Sequence, residues 1–219
     1  MQSVLIGGAS WLVREGTSDH NTVQATAGED EYGLEGVDVE GRLVFDIGAH
    51  IGGVAVTLAR RGARVVAVEP IAANADMILL NALGNGVHVE VVVGAIGTDV
   101  IEYGWVGDKF AEAHGWIANT GLREEGYKAQ HREQVPRYTL TELVGSYGAP
   151  AIIKLDCEGG EWSMFEEPAI HDVPLIVGEW HAGAENRSKR DVTLAIGASH
   201  RLEFSDLNGR SGGFRGTLR

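Results

Sequence analysis

The sequence has 219 residues, of which 44% are hydrophobic, and it carries a formal net charge of −13 at pH 7. This length and apolar content predict a globular chain with its own core and exclude a disordered one. The acidic balance disfavours nucleic acid and anionic membranes as partners. Cys157 is the only cysteine, no apolar run reaches the length of a membrane span, and the N-terminus lacks a signal-peptide pattern. We therefore expect a cytoplasmic protein without disulfides.

Predicted elements follow one another regularly from residue 43 onward, whereas residues 1–40 lack strong periodicity apart from a short helix near residues 21–27. Apolar runs predict five buried strands, at residues 43–47, 63–70, 87–97, 151–157 and 174–180. Helices are predicted at residues 54–61, 73–83, 139–147, 161–167 and 188–198. Residues 98–137 are compatible with short antiparallel strands or with a loop excursion.

Alternating strands and helices predict an α/β fold, a Rossmann-like, doubly wound and mostly parallel sheet. Two further runs, at residues 201–207 and 212–218, have no helix between them and predict an antiparallel C-terminal strand pair. We expect residues 1–219 to form a single domain, with residues 1–40 as an N-terminal extension or lid and residues 41–219 as the core. In such sheets ligands bind where strands end at the topological switch point.

The segment VFDIGAHIGG, residues 44–53, places a strand end beside a cluster of glycines. A dinucleotide fingerprint, G-x-G-x-x-G, needs a second glycine where this chain has His50, and Asp46 adds a negative charge; both features count against NAD. The spacing D-x-G-x-x-x-G instead resembles the first motif of class I S-adenosylmethionine (SAM) methyltransferases. SAM has no phosphate, and an aspartate or backbone carbonyls can receive its ammonium group. The alternative is a tight strand–helix turn with glycines for packing.

Two later strand ends fit an adenosine ligand. Glu69 ends the second predicted strand, 17 residues after Gly52, where an acidic side chain can bind both ribose hydroxyls in NAD and SAM sites alike. Gly94, Ala95 and Ile96 lie at the end of the third predicted strand, where an adenine ring could lie against the backbone and small side chains. The alternatives are an exposed strand-end carboxylate and an ordinary turn.

The segment IIKLDCEGGEW, residues 152–162, joins a buried strand to the carboxylates of Asp156, Glu158 and Glu161. If the strand continues to Glu158, then Asp156 and Glu158 share one face. Lys154 lies on the same alternation, so a buried ion pair between Lys154 and Asp156 is the structural alternative to a functional cluster. Cys157 would point away from Asp156 as a small buried apolar residue.

Five segments together resemble the FkbM family of SAM-dependent methyltransferases, in the family's order and over about residues 42–166. These segments are FDIGAHIGG, VVAVEPIAANADMILLN, VVVGAIG, TLTELV and IIKLDCEGGEWSMF. The resemblance implies a Rossmann-like sheet, SAM as the methyl donor, S-adenosylhomocysteine (SAH) as the product, and O-methylation of hydroxyl groups on small molecules or sugars.

The resemblance also implies roles for individual residues. It assigns the loop at the methionine end of SAM to five residues, Asp46, Gly48, Ala49, His50 and Gly52. Glu69, followed by Pro70, would hold the ribose, and Asn74 would support the turn after that strand. Asp156 would lie beside the transferred methyl group, with Glu158 and Glu161 near it.

Methyl transfer to a hydroxyl group requires alignment of the acceptor and removal of its proton. The candidate bases are Asp156, Glu158, Glu179 and His181. Glu179 and His181 follow the fifth strand and share a face by alternation, and a histidine suits the base role near neutral pH. Mg²⁺ held by Asp156, Glu158 and His181 is the alternative to a hydrogen-bonded cluster; we favour the latter and assign no metal ligand.

Other functions remain open as alternatives. Methyltransferases that act on base amines carry D/N-P-P-Y/F after the fourth strand, where this chain has D-C-E-G, and Cys157 does not follow a proline as in cytosine-C5 enzymes. A noncatalytic SAM- or partner-binding module and a nucleotide-dependent oxidoreductase are further alternatives. Trp105, Trp116 and Trp180 could line an acceptor pocket or serve packing. We expect a methyltransferase with a small-molecule acceptor.

Overall fold

The computed structural model describes seven stretches of the chain, residues 1–97, 101–105, 116–119, 131–157, 159–182, 186–206 and 211–219. The chain begins with an antiparallel hairpin, β1 (Gln2–Ile6) and β2 (Ala9–Val13). Helix α1 (Asp19–Val23) follows and continues as a π-helical turn over Gln24–Gly28. The sequence predicts this helical region but not the hairpin, because four of the five residues of β1 are not buried and show no apolar alternation.

The first half of the core has the predicted alternation of strands and helices. Its elements are β3 (Leu43–Ile47), α2 (Gly53–Arg60), β4 (Arg64–Glu69), α3 (Ala72–Gly84), β5 (Glu90–Val93) and β6 (Ala95–Ile96). The third predicted strand is therefore divided in two at Gly94. A Cβ atom on Gly94 would lie 2.6 Å from the Pro136 carbonyl oxygen, so a glycine lets the chain pass at this break.

The segment between the two halves contains short antiparallel strands, one of the two predicted options. Strands β7 (Ile101–Trp105), β8 (Trp116–Asn119) and β9 (His131–Val135) form a small sheet in the order β8-β7-β9. The two-residue strand β10 (Arg137–Tyr138) returns to the core and pairs in parallel with β6.

The second half of the core also follows the prediction. Its elements are α4 (Leu140–Tyr147), β11 (Ile152–Leu155), α5 (Glu161–Phe165), a 3₁₀-helical turn over Pro168–Asp172, β12 (Leu175–His181), α6 (Lys189–Ile196), β13 (His200–Asp206) and β14 (Ser211–Leu218). Thr139 caps α4 and forms a capping box with Glu142. Strand β11 ends at Leu155 and does not continue to Glu158, which lies outside the described residues.

Seven strands form the central sheet in the order β13-β14-β12-β11-β3-β4-β5. The pairs from β12 to β5 are parallel, whereas β14 is antiparallel to both β12 and β13. This arrangement confirms the predicted α/β fold with an antiparallel C-terminal strand pair. Strand β3 lies between β4 and β11, so the strand order reverses at the ends of β3 and β11.

The core lies on both faces of this sheet. Along β3, Phe45 and Ile47 pack into one apolar cluster, while Val44 packs into the other, so the strand reads as a continuous apolar run. The second cluster also contains Trp11 of β2, which is fully buried. The N-terminal hairpin therefore shares a core with the sheet. Among the helices that the structure describes, none is long and apolar enough to cross a membrane.

Candidate functional site

The two segments that the sequence singles out meet at the switch point. Gly48 follows β3 with φ +77°, and a Cβ atom there would lie 1.7 Å from the carbonyl oxygen of Asp156. An L side chain is strained at this φ and has no room, so glycine is required. The first loop thus passes directly against the residue that follows β11.

A buried ion pair supports the first loop where it passes against Asp156. The register places Lys154 opposite Asp46, and the Lys154 Nζ lies 3.3 Å from Asp46 Oδ1 and donates to the Gly48 carbonyl oxygen at 2.7 Å. Burial raises the pKa of Asp46 despite the Lys154 charge. Burial would lower the pKa of Lys154, but the Asp46 and Asp156 charges outweigh it and raise that pKa. Lys154 therefore forms its ion pair with Asp46 and not with Asp156, the partner of the structural alternative.

Glu69 organises the loop with its own carboxylate. It accepts hydrogen bonds from the His50 backbone N–H at 2.8 Å, the Ile71 N–H at 3.0 Å and the Asn74 Nδ2 at 3.2 Å. Burial raises its pKa to about 7. A carboxylate offers about four lone-pair directions, so three internal donors leave one for a ligand.

His50 stands in the loop with φ 52°, a conformation that few non-glycine residues adopt. Its Nδ1 atom is buried and has no hydrogen-bond partner within the described part of the chain. Burial lowers the pKa of His50 to about 4, so the ring is neutral at pH 7. A buried ring nitrogen without a partner is costly, and it indicates a place where a polar ligand atom belongs.

The N-terminal segment is tied to both sides of the switch point. Arg14 forms a two-point ion pair with the buried Asp19 at 2.8 Å and donates to Asn74 Oδ1 at 2.6 Å. Burial alone raises the pKa of Asp19, but the Arg14 hydrogen bonds and charge outweigh it and lower that pKa. The Tyr32 hydroxyl donates to Asp156 Oδ2 at 2.9 Å. Burial and the Asp156 charge raise the pKa of Tyr32, so the phenol keeps its proton.

A cavity of about 360 Å³ lies between this segment and the first loop; we refer to it as the loop cavity. Residues from Ser18 to Tyr32 cover it, and its opposite side contains Gly48, Ala49, His50, Lys154 and Asp156. Of the other predicted cofactor residues, five are buried and do not line it: Asp46, Gly52, Glu69, Pro70 and Asn74. Gly94, Ala95 and Ile96 lie next to Glu69, since the Gly94 N–H donates to the Glu69 carbonyl oxygen at 3.1 Å.

A second cavity, also of about 360 Å³, lies on the far side of Tyr32 above β12, β14 and β13; we refer to it as the strand cavity. Its lining includes Glu179, Glu203 and Arg215 from the strands. Glu31 and Tyr32 line both cavities and form the wall between them.

Three of the four predicted catalytic residues come together, with Asp156 on the lining of the loop cavity and Glu179 on that of the strand cavity. Asp156, Glu179 and His181 each place one potential ligand atom within 4.8 Å of the others, and the fourth, Glu158, lies outside the described residues. The His181 Nε2 is 3.6 Å from Glu179 Oε2. Two carboxylates and an imidazole can hold a divalent cation or exchange a proton.

The buried carboxylate of Glu161 holds His181 in place. Glu161 Oε1 accepts the His181 backbone N–H at 2.6 Å and lies 3.2 Å from the ring Nδ1, while Oε2 accepts the Gly159 N–H at 2.8 Å. A carboxylate on Nδ1 favours the tautomer with the proton on that nitrogen and leaves Nε2 free of it. The Trp162 indole N–H donates to the His181 carbonyl oxygen at 2.8 Å.

Sequence reasoning did not predict the contacts that join the parts of the site. The roles of Tyr32, Arg14 and Lys154 in joining the parts of the site follow from contacts across long stretches of chain, and the sequence offers only their polar character as a signal. Trp180 is buried in the core and lines neither cavity, which agrees with the packing alternative. The side chains of Trp105 and Trp116 lie outside the described part of the structure. Cys157 is buried, as predicted.

Comparisons with known proteins identify the family and the fold of the chain. Residues 46–213 match the family described as the Methyltransferase FkbM domain. None of the curated protein sequences matches the chain. Among solved structures, it is similar to the precorrin-6y C5,15-methyltransferase from Geobacter metallireducens, with 11% identity, a TM-score of 0.52 and full coverage of both chains.

Two further similar structures act on RNA. The tRNA (uracil-54, C5)-methyltransferase from Pyrococcus abyssi, in complex with SAH, has 14% identity and a TM-score of 0.52; all of this chain aligns with 44% of that one. The 16S rRNA N2 G1207 methyltransferase from T. thermophilus, in complex with SAM and guanosine, has 15% identity and a TM-score of 0.51, and all of this chain aligns with 50% of it. At these identities the likeness shows the fold alone. The family match covers most of the sequence, and the chain therefore belongs to the FkbM family of methyltransferases, with the Rossmann-like fold of the SAM-dependent class I enzymes.

Proposed function

We propose that this protein transfers the methyl group of SAM to a hydroxyl group on a small-molecule or sugar-like acceptor. The observation that carries the proposal is the convergence, at the switch point, of a glycine loop with the cluster of Asp156, Glu179 and His181. The loop provides close backbone approach for a cofactor without phosphate. The cluster provides proton acceptors for a hydroxyl group.

The residues at the loop cavity fit the methionine end of SAM. A volume of about 360 Å³ falls within the range of small-molecule sites, roughly 300–1,000 Å³. The buried His50 Nδ1 without a partner and the backbone at Gly48 and Ala49 are available to a polar ligand, and Asp156 supplies a carboxylate for an ammonium group. Asp46 would act indirectly, since it holds Lys154 beneath the loop.

Glu69 would hold the ribose, although not through two free oxygens. Its three internal hydrogen bonds leave one open lone-pair direction, and Oε2 has a single donor, the His50 N–H. We propose that Glu69 accepts one ribose hydroxyl directly while it fixes the loop, Pro70 and Asn74. Gly94, Ala95 and Ile96, next to Glu69, would lie against the adenine ring.

Residues 1–40 would act as the lid over this cofactor site. The Arg14–Asn74 and Tyr32–Asp156 hydrogen bonds fasten the segment to opposite sides of the loop cavity. Closing a site over a sulfonium cofactor excludes water and strengthens the electrostatic interactions within it.

The chain's own groups would remove the acceptor proton. When bound, SAM supplies an electrophilic methyl group on a sulfonium centre. The acceptor oxygen would form the new O–C bond as the C–S bond breaks and leaves its electron pair on sulfur, giving SAH, and His181 Nε2 would take the hydroxyl proton. Glu161 keeps the other ring proton on Nδ1, and Asp156 and Glu179 favour the protonated imidazole electrostatically.

Two alternatives lead to different observations. A divalent cation on Asp156, Glu179 and His181 would make activity depend on added Mg²⁺ and sensitive to EDTA; we propose metal-independent transfer. An RNA acceptor, as in two structures of the same fold, is disfavoured by the net charge of −13, because binding to phosphates requires basic surface.

Calorimetric titration with SAM, SAH and NAD tests the proposal. We expect the two adenosyl ligands to bind and NAD not to bind. Gly48→Ala should abolish binding because its Cβ would collide with the Asp156 backbone, whereas Gly145→Ala in α4, where a Cβ meets no atom within 4 Å, is the matched control. A thermal melt of each variant separates misfolding from loss of the site. Absence of SAM and SAH binding in the wild type would refute the proposal.

A further inference from the structure

We propose that the strand cavity is the acceptor site and that it selects neutral or amine-bearing, hydroxyl-rich acceptors over phosphorylated ones. This inference rests on the proposed function and adds the charge class of the acceptor. Its evidence is the composition of the cavity floor, the wall shared with the loop cavity, and the position of Glu179 between the floor and His181.

Three strands build an open floor. Gly213 of β14 lies opposite both Glu179 of β12 and Ser205 of β13, so these positions share one face of the sheet. A Cβ atom on Gly213 would lie 2.5 Å from Ser205 Oγ. The absence of a side chain on the middle strand therefore creates the space between the two polar side chains.

Acidic groups outnumber basic ones among the described residues that line this cavity. Glu31, Glu179 and Glu203 supply three carboxylates, and Arg215 supplies one guanidinium group. Arg215 keeps its charge while its Nη1 donates to the Gly33 carbonyl oxygen at 3.1 Å, so one positive group faces three negative ones. Carboxylates accept hydrogen bonds from hydroxyl and ammonium groups, whereas they repel phosphate oxygens, so the lining opposes an anionic acceptor.

The cavity leads to the proposed reaction centre. Tyr32 stands between the two cavities with its hydroxyl on Asp156, and Glu179 extends from the cavity floor to within 3.6 Å of the His181 Nε2. A hydroxyl group bound by Glu179 would thus lie next to the base and beside the wall of the loop cavity. In-line transfer brings the acceptor oxygen to about 3–3.5 Å from the methyl carbon, so the two ligands would meet at the edge of Tyr32, which lines both cavities.

Saturation-transfer NMR on the SAH complex tests this inference with three probes of one shape, methyl glucoside, glucosamine and glucose 6-phosphate. We expect the neutral and amine-bearing sugars to bind about tenfold or more tightly than the phosphate, which corresponds to roughly 1.4 kcal/mol. Glu203→Gln should reduce this preference for the sugars without phosphate severalfold, and it should not change the affinity for SAH. Glu90 is an exposed residue of β5 at the other edge of the sheet, so Glu90→Gln should leave the preference among the sugars unchanged.

A second variant tests the position of the site independently of charge. Gly213→Ala should weaken binding of all three sugars while SAH affinity and the melting temperature stay close to the wild type. The inference would be overturned if glucose 6-phosphate bound as tightly as the other sugars or more tightly, or if no sugar showed saturation transfer. Unchanged sugar binding in Gly213→Ala would also overturn it. If SAH still binds in those cases, the proposed function stands; if SAH does not bind to the wild type, the proposed function itself fails.

Discussion

The acidic residues on the two sides of the switch point differ in what they face. On the β3–β4 side, Asp46 and Glu69 are buried; Asp46 forms an ion pair with Lys154, and Glu69 accepts hydrogen bonds from backbone and amide groups. On the β11–β12 side, Asp156 and Glu179 are half-buried and line cavities. Both sets of residues follow or end buried strands, so the sequence pattern does not show which carboxylates are buried and which line a cavity.

The buried carboxylates therefore support the loop, whereas the half-buried ones can take part in the reaction. A buried carboxylate with internal partners holds a loop in shape, and removing its partner leaves a desolvated charge. A half-buried carboxylate beside a cavity can accept hydrogen bonds from a ligand, and its pKa can respond to the charge of that ligand. Substitutions that change one side at a time should therefore differ in kind, and their effects should decrease in the order given below.

Loss of the lysine on the supporting side should have the largest effect. Lys154→Met leaves Asp46 fully buried without its ion-pair partner, so we expect a loss of roughly 3–5 kcal/mol in the free energy of unfolding, measured by urea denaturation. The double variant Asp46→Asn/Lys154→Met should recover a large part of this loss, because no buried charge remains. A single variant as stable as the double variant would contradict the role of the buried charge.

Loss of the histidine on the chemical side should affect turnover and not the fold. His181→Gln removes the proposed proton acceptor, and we expect kcat to fall about 10²–10⁴-fold with unchanged SAH affinity. Glu161→Gln should shift the pH profile of kcat, because Glu161 orients the ring that takes the proton. His88→Gln is the control, since that side chain is 88% exposed. An undiminished kcat in His181→Gln would assign the base role elsewhere.

Tyr32→Phe should have an intermediate effect, because Tyr32 connects the two sides. The change removes one hydrogen bond to the Asp156 carboxylate and keeps the ring, so we expect a loss of roughly 1.5 kcal/mol, or about tenfold in kcat/KM. Steady-state kinetics with a fixed acceptor would measure it. No change in kcat/KM would mean that the Tyr32–Asp156 hydrogen bond does not matter for transfer.

The smallest effect is a pH dependence of cofactor affinity. Glu69 has a pKa of about 7 in the folded protein because it is buried. A ribose hydroxyl donates to the ionised carboxylate, so SAH affinity should rise about tenfold between roughly pH 6 and roughly pH 8, with proton release on binding. Calorimetry in buffers of different ionisation enthalpy measures that release. In Glu69→Gln the profile should be flat, and a steep profile in that variant would assign the proton to another group.

The same group predicts how stability varies with pH. The folded pKa of Glu69 lies above its ordinary value of 4.5, so the folded state binds the additional proton between these two pKa values. The favourable contribution of the protonated form is therefore present below the unfolded pKa and is lost as the pH rises through about 7.

The sequence predicts the sheet and its order of elements well because buried parallel strands are continuous apolar runs between helices. It also predicts the switch-point loop, since a glycine such as Gly48 ends a strand where a side chain has no room. It does not predict the pairing of Lys154 with Asp46. That pair depends on the register of two strands separated by more than a hundred residues, and alternation along one strand favours Asp156 instead.

Local sequence patterns also do not predict the contacts and the strand cavity that complete the site. Tyr32 and Asp156 are 124 positions apart, and neither neighbourhood has a period or motif that joins them. The strand cavity depends on Gly213 facing Ser205 across two antiparallel strands. A glycine within a strand is equally typical of a bulge or a bend, so Gly213 alone does not predict a cavity.

Hydrogen–deuterium exchange with and without SAH tests most directly whether the cofactor and the acceptor belong to opposite sides of Tyr32. We predict that SAH protects the loop at residues 44–56 and the N-terminal segment at residues 14–32, while residues 211–218 of β14 exchange as before. Protection of β14 without protection of the loop would contradict this assignment, because the cofactor would then occupy the cavity that we assign to the acceptor.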